Sequence, residues 1–244
     1  MIRRTARMLV GIVMLMAGVL VGMGATSGTA HADECYTWSR TLSQGSSGAD
    51  VTQLQIRVAG WVASGERLSY DGAYGARTTA AVKKFQSAYG LPADGVAGSQ
   101  TFSKIYALQD ADCTPIHFAY SELNKCNSDW SGGAVSAATA KANALKTMWK
   151  LEAMRHALGD VPITISSGFR SYACNSAVGG ASTSRHLYGD AADLTGSPSL
   201  CTLAQQARVH GFSEILGPGY PDHNDHAHVA LDPSPYWSAP NCGI

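Results

Sequence analysis

The sequence has no surplus of charge. It carries 18 basic and 18 acidic residues in 244, so its net charge gives no reason to expect nucleic acid as a partner. None of its six cysteines forms a C-x-x-C pair, which argues against a cysteine-based zinc site. The long apolar run, from about Met8 to Met23, is short for a membrane span. Arg3, Arg4 and Arg7 precede that run, and Ala30-His31-Ala32 after it has the A-x-A form of a cleavage site. Together these are the parts of an export signal over residues 1–32, with Asp33 as the first mature residue. An uncleaved anchor is the alternative. Cleavage removes three basic residues and no acid, leaving 212 residues with a net charge of −3. The expectation is a secreted monomer, extracellular or in the cell wall, with no stable membrane anchor.

All six cysteines (Cys35, Cys113, Cys126, Cys174, Cys201 and Cys242) lie beyond the leader. An even count in an exported chain reads as a disulfide framework, with about fifteen possible connectivities. Sequential pairing is attractive, because Cys35 and Cys113 bracket one segment and the other four fall within the next. A Cys35–Cys113 bridge would stabilise by about 4 kcal/mol in the chain-entropy model, less any strain.

Residues 36–110 contain an internal repeat. Asp71-Gly72-Ala73-Tyr74-Gly75-Ala76-Arg77-Thr78 returns as Asp94-Gly95-Val96-Ala97-Gly98-Ser99-Gln100-Thr101, a D-G-x-x-G-x-x-T pattern. Asp-Gly favours a tight turn, because glycine accepts positive φ. Thr78 and Thr101 stand near the starts of helical patterns, where their hydroxyls or neighbouring ones are expected to cap free N–H groups. Three apolar stripes follow helical spacing: Val51, Leu54 and Val58; Val82, Phe85 and Tyr89; Phe102, Ile105 and Tyr106. They predict a three-helix core. With Gly48-x-x-Val51-x-x-Leu54-Gln55, Phe85-Gln86 and Leu91-x-x-Asp94-Gly95, the segment resembles the three-helix peptidoglycan-binding module. The resemblance implies binding to wall glycan or stem peptide.

A short linker near Asp110–Pro115 leads to a second domain, residues 114–244. Ala137–Leu158 is predicted helical, with Ser136 as N-cap and Gly159 as stop. Val161–Ser166, Phe212–Leu216 and Ala227–Leu231 are predicted strands, and Leu203–Val209 a helix. One long helix, then strands mixed with short helices and glycine-rich loops, indicates an α+β domain behind the small helical one.

The chemistry concentrates in two clusters. Zinc accepts imidazole nitrogen and carboxylate oxygen readily. His186 and Asp193 flank Gly189, which permits a turn aiming both at one point, and Ala191 and Ala192 suit close passage of backbone. In His223-Asn224-Asp225-His226-Ala227-His228, strand alternation puts His226 and His228 on one face, so both are candidate ligands. Pro221, Asp222 and Asn224 favour a loop that leaves Asp225 free to turn inward. His117, His156 and His210 read as ordinary surface or core residues. Tyr220 and Trp237 are either packing or pocket wall.

Ser184-x-His186-x-x-Gly189-x-Ala191-x-Asp193 followed by Asp225-x-x-His228 resembles the zinc D,D-peptidases of the VanY/VanX type, an M15-like family. Gly168-Phe169-Arg170-Ser171, Ile215–Tyr220 and Trp237–Pro240 extend the likeness over essentially all of 114–244. With the wall-binding module in front, the architecture is similar to secreted actinomycete members. The resemblance implies an α+β zinc D,D-peptidase fold of the hedgehog-like kind and one catalytic Zn²⁺ held by His186, Asp193 and His228. It also implies Asp225 as catalytic acid, His223 and His226 lining the site in catalytic roles, and Arg170 on the substrate. The disulfides it implies are Cys35–Cys113, Cys126–Cys174 and Cys201–Cys242. Asp190 departs from the histidine of close relatives, which puts its effect on activity in doubt. The implied reaction is removal of terminal D-Ala from D-Ala-D-Ala stem peptides of peptidoglycan. An endopeptidase or dipeptidase with the same zinc, and a non-catalytic wall-binding protein with a structural zinc, are the rivals. A serine nucleophile is disfavoured, since no S-x-x-K stands beside a K-T-G.

Overall fold

A computed structural model describes residues 35–244, so the expected leader, residues 1–32, lies outside the described residues. Among the described residues no helix is long and apolar enough to cross a membrane. The first lobe holds α1 (Ala49–Val58), α2 (Ala76–Ala88) and α3 (Ser99–Ala107). Val51, Leu54, Val58, Val82, Phe85, Phe102 and Ile105 are buried together with Trp38 and Tyr74, as their spacing predicts. Tyr106 is instead exposed, and its hydroxyl accepts from the Trp38 N–H at 2.9 Å.

The repeated D-G-x-x-G-x-x-T motif is a turn plugged by a glutamine. Gln55 Nε2 donates to Asp71 Oδ1, the Ala73 carbonyl and Thr78 Oγ1, and its Oε1 accepts from the Gly72 N–H. Gln86 makes the same four bonds to Asp94, Val96, Thr101 and Gly95. Each aspartate also accepts from the N–H two residues on, and Gly72 and Gly95 take the positive φ this requires. The expected threonine caps are therefore corrected. Gly75 and Gly98 stand at the N-cap positions with no side-chain bond, because Thr78 and Thr101 point inward to the glutamines. Replacing Gln86 by leucine strands two buried polar groups, the Gly95 N–H and the Thr101 hydroxyl. Urea unfolding should show a loss of about 2–3 kcal/mol; a change below about 0.5 kcal/mol would deny the network a structural role.

The second lobe runs α4 (Tyr120–Leu123), α5 (Ala137–Ala157), β1 (Thr164–Ser167), α6 (Tyr172–Ala177), a 3-10 turn (Arg185–Tyr188) and β2 (Ala191–Thr195). Then come α7 (Leu200–Val209), β3 (Glu214–Leu216), β4 (Ala227–Ala230) and β5 (Tyr236–Ser238). Ser136 Oγ accepts from the Thr139 N–H at the start of α5, and Gly159 ends it at φ 83°. The five strands form one mixed sheet in the order β1-β2-β4-β3-β5, antiparallel except for the parallel pair β3/β5. Ile165, Ala192, Leu194, Ile215, Ala227 and Val229 face a core with Met148, Leu151 and Met154 of α5 and Leu203 and Ala207 of α7. By alternation, Asp193, Glu214 and His228 stand on the opposite face.

Helix α5 belongs to both cores. Its Trp149 and Ala153 pack into the first lobe while Met148, Leu151 and Met154 pack into the second. At Gly60 a Cβ would lie 2.5 Å from the Ala153 Cβ, so the chain after α1 rests directly on α5. The three disulfides are Cys35–Cys113, Cys126–Cys174 and Cys201–Cys242, as the resemblance implied.

Candidate metal centre

Two strands and one turn assemble the centre. Asp193 on β2 and His228 on β4 are directly paired across the sheet. His186 comes from the 3-10 turn that ends at Gly189, with φ 75°. A Cβ at Gly189 would lie 2.5 Å from the Ala140 carbonyl of α5; the glycine serves both the turn and this close approach. Ala191 and Ala192 are fully buried beside it.

His186 Nε2, His228 Nδ1 and Asp193 Oδ1 form a triangle with sides of 3.0, 3.1 and 2.9 Å, and all three residues are buried. The outer ring nitrogens are committed elsewhere. His186 Nδ1 donates to the Gly168 carbonyl at 2.5 Å, which leaves its Nε2 as a bare lone pair. His228 Nε2 donates to Glu214 Oε1 at 2.9 Å. The triangle calls for positive charge. Burial works against charge on His228, yet Asp193 and Glu214 push its ring up to about 9. Burial likewise opposes the Asp193 anion, but bonds from His186 and His228 hold its carboxyl well below the usual range. A divalent cation meets that demand at all three atoms, and two imidazoles with one carboxylate are the donor set zinc takes with a coordination position open.

Glu214 was not among the residues singled out from sequence, although it sits in a predicted strand as an acid among apolar neighbours. It orients His228 from the far side. Glu214→Gln should weaken zinc binding about 10- to 100-fold, read by competition with a chromogenic chelator; unchanged affinity would show that His228 needs no such support.

Arg170 meets Asp193 rather than standing apart: its Nη2 donates to Asp193 Oδ2 at 2.6 Å and its Nε to Ser167 Oγ at 2.9 Å. It still lines a cleft of about 660 Å³ that opens over the triangle. Tyr220, His223 and His226 line the same cleft, facing a wall that includes Gly179, Gly180 and Ala181. His226 lies just before β4, with Nε2 3.7 Å from Asp193 Oδ1. It falls outside the group able to share a metal. Burial lowers the His223 ring below the usual imidazole range, and its Nδ1 bonds the Pro221 carbonyl at 2.7 Å.

Asp225 does not turn inward as the loop composition suggested. Its side chain is 90% exposed at the rim, and His226 Nδ1 sits 2.7 Å from its Oδ1. That bond holds the Asp225 carboxyl below the usual range. Asp190 stands apart from the cleft. It is buried and ion-paired to Arg185 and does not line the cleft, so its charge is met away from the metal. Trp237 is packing: its Nε1 donates to the Phe212 carbonyl, and Arg208 stacks on its ring. His117, His156 and His210 lie off the cleft, on Glu152, Asp160 and the Gly60 carbonyl.

Residues 116–230 match the family model for Peptidase M15, and residues 47–105 match that for a putative peptidoglycan binding domain. The chain is 69% identical over 213 residues to the zinc D-Ala-D-Ala carboxypeptidase of Streptomyces albus G, covering 87% of this chain and 84% of that protein. A protein of Kitasatospora aureofaciens, named only as lying in the bpoA1 3' region, is 33% identical over 107 residues, covering 41% of this chain and 86% of its own length. Among solved structures, the SleB N-terminal domain is 32% identical over 30% of this chain and 96% of its own, with a TM-score of 0.27. A Burkholderia AP3 phage endolysin is 32% identical over 44% of this chain and 36% of its own, with a TM-score of 0.25. Those scores are too low to bear on the fold.

Proposed function

The chain belongs to the M15 peptidase family, and on that footing we propose that it removes the C-terminal D-Ala from D-Ala-D-Ala stem peptides of peptidoglycan. The observation that carries this reading is the triangle of His186, Asp193 and His228 beneath an open cleft, with no fourth histidine, cysteine or acid close enough to all three to join them among the described residues. A structural zinc would fill all four positions with protein.

His186, Asp193 and His228 would hold the zinc, which would supply a Lewis acid and a water acidified towards a pKa of about 7. The protein groups do the rest. Arg170 keeps the second Asp193 oxygen engaged, and its Nη1 donors are left for the substrate carboxylate or the scissile carbonyl. His226 turns one nitrogen to the cleft and the other to Asp225. The pair can take a proton at Nε2 and return it to the leaving amine, with the carboxylate stabilising the charged ring. His223, whose ring lies 4.7 Å from that of His226, gives its Nδ1–H to the Pro221 carbonyl, so its Nε2 accepts a hydrogen bond from substrate and donates to a developing oxyanion only when the ring is protonated.

Residues 1–32 are read as an export leader, 36–110 as the wall-binding domain and 114–244 as the catalytic domain. The three disulfides support an oxidising compartment outside the cell. The test is hydrolysis of diacetyl-Lys-D-Ala-D-Ala with product mass analysis. Release of one alanine, abolished by chelator and restored by zinc, is expected. A larger fragment would instead mean an endopeptidase or dipeptidase, and no hydrolysis would leave a wall-binding protein.

A further inference from the structure

A second cavity, of about 340 Å³, lies in the seam between the lobes and shares no lining residue with the zinc cleft. Arg67, Tyr70 and Arg77 line it from the first lobe, and Lys150, Gly211 and Asp232 from the second. Lys150 is the most unusual of these. It is 2% exposed, and its Nζ donates to the Gly211 carbonyl at 2.5 Å. A Cβ at Gly211 would lie 2.9 Å from that Nζ, and Gly211 has φ +77°, so the backbone leaves room for a buried amine. Arg67 Nη1 donates to the Asp232 and Pro233 carbonyls, both at 3.0 Å. Two cations are thus fixed by carbonyl oxygens, which orient them without neutralising them. Asp232 is the one acid among the lining residues, and its carboxylate also faces Arg185 Nε at 3.7 Å and the Ser234 N–H at 2.7 Å. Burial, helped by the Arg67 charge, lowers the Lys150 amine to about 7, as expected where positive charge is held without its counterpart.

We propose that this inter-lobe cavity binds an oxyanion, a phosphate or carboxylate group. An oxyanion in the cavity relieves the repulsion between Arg67 and Lys150 and offers Arg77, on the same lining, an acceptor for its planar fork. The site itself does not depend on the peptidase reading; its natural source, an anionic group of the wall polymer, does.

The zinc-loaded protein and its Arg67→Gln/Arg77→Gln variant should be titrated with inorganic phosphate and followed by amide NMR at Gly211 and Ser213. Both substitutions lie outside the zinc cleft, so the variant should keep its activity on the soluble tripeptide, which also shows that losing the Arg67 bonds to Asp232 and Pro233 leaves the fold intact. Phosphate is expected to shift both amides, with Kd raised about tenfold in the variant. No shift, or equal affinity in the two proteins, would overturn the proposal. Sedimentation with intact walls and with walls stripped of phosphodiester polymers then identifies the source. Weaker binding of the variant to intact walls alone means a phosphodiester, and weaker binding to both means a stem-peptide carboxylate. Equal binding of the two proteins to both preparations would overturn the wall assignment.

Discussion

Asp193→Ala is expected to strip the zinc and lower turnover by at least about a thousandfold. This one side chain serves three partners. Its Oδ1 faces His186 Nε2 and His228 Nδ1, and its Oδ2 takes the Arg170 Nη2 bond. Removing it leaves two imidazoles to hold the metal and Arg170 mostly buried without its counter-charge. Leaving a buried charge unpaired costs about 3–5 kcal/mol, so the variant should also melt earlier. Asp193→Asn separates the two losses. An amide keeps one oxygen for the metal but must set an N–H against either the metal or Arg170, so it should retain the fold better than it retains zinc. Metal analysis and thermal melts on both variants decide this; full zinc occupancy in Asp193→Ala would remove Asp193 from the ligand set.

Asp225→Asn should do the opposite, keeping zinc at full occupancy while turnover falls about 10²- to 10⁴-fold. The carboxylate is exposed and touches no metal ligand, so no ligand atom is disturbed. What is lost is the negative charge against His226 Nδ1, and with it the stabilisation of a protonated ring whose other nitrogen faces the cleft. His226→Ala discriminates between two routes. A loss as large as that of Asp225→Asn means that the proton travels through the imidazole. A much smaller loss means that Asp225 swings in and acts on substrate directly. Wild-type turnover in Asp225→Asn would end its role as a proton carrier.

The parts of the molecule that the sequence made plain are those with local signals. Helix α5 announces itself through Ser136 at one end and Gly159 at the other, and the metal triad through its spacing and family likeness. Strand β2 was hidden. Ala191, Ala192, Asp193 and Leu194 are all buried, so no alternation of apolar and polar residues marks them as a strand. The polar member is inside because His186, His228 and Arg170 meet its two oxygens there. Thr78 and Thr101 misled for a related reason: a threonine at a helix start suggests a cap, and only the distant Gln55 and Gln86 explain why these turn inward. Asp225 lies in a loop, where composition predicts irregularity but not direction. Glu214 depends on a partner fourteen residues away on a neighbouring strand, which periodicity within one strand cannot reveal.

Helix α5 sets the mechanical character of the protein. A tethered enzyme samples whatever its linker allows. Here Trp149 and Ala153 are bolted into the first lobe while the same helix backs the sheet that carries Asp193 and His228. The distance from grip to cut is then fixed by side-chain packing, as in a caliper. On the proposed reading, a wall strand held by the first lobe would present to the zinc cleft only those stem peptides that hang at that one separation.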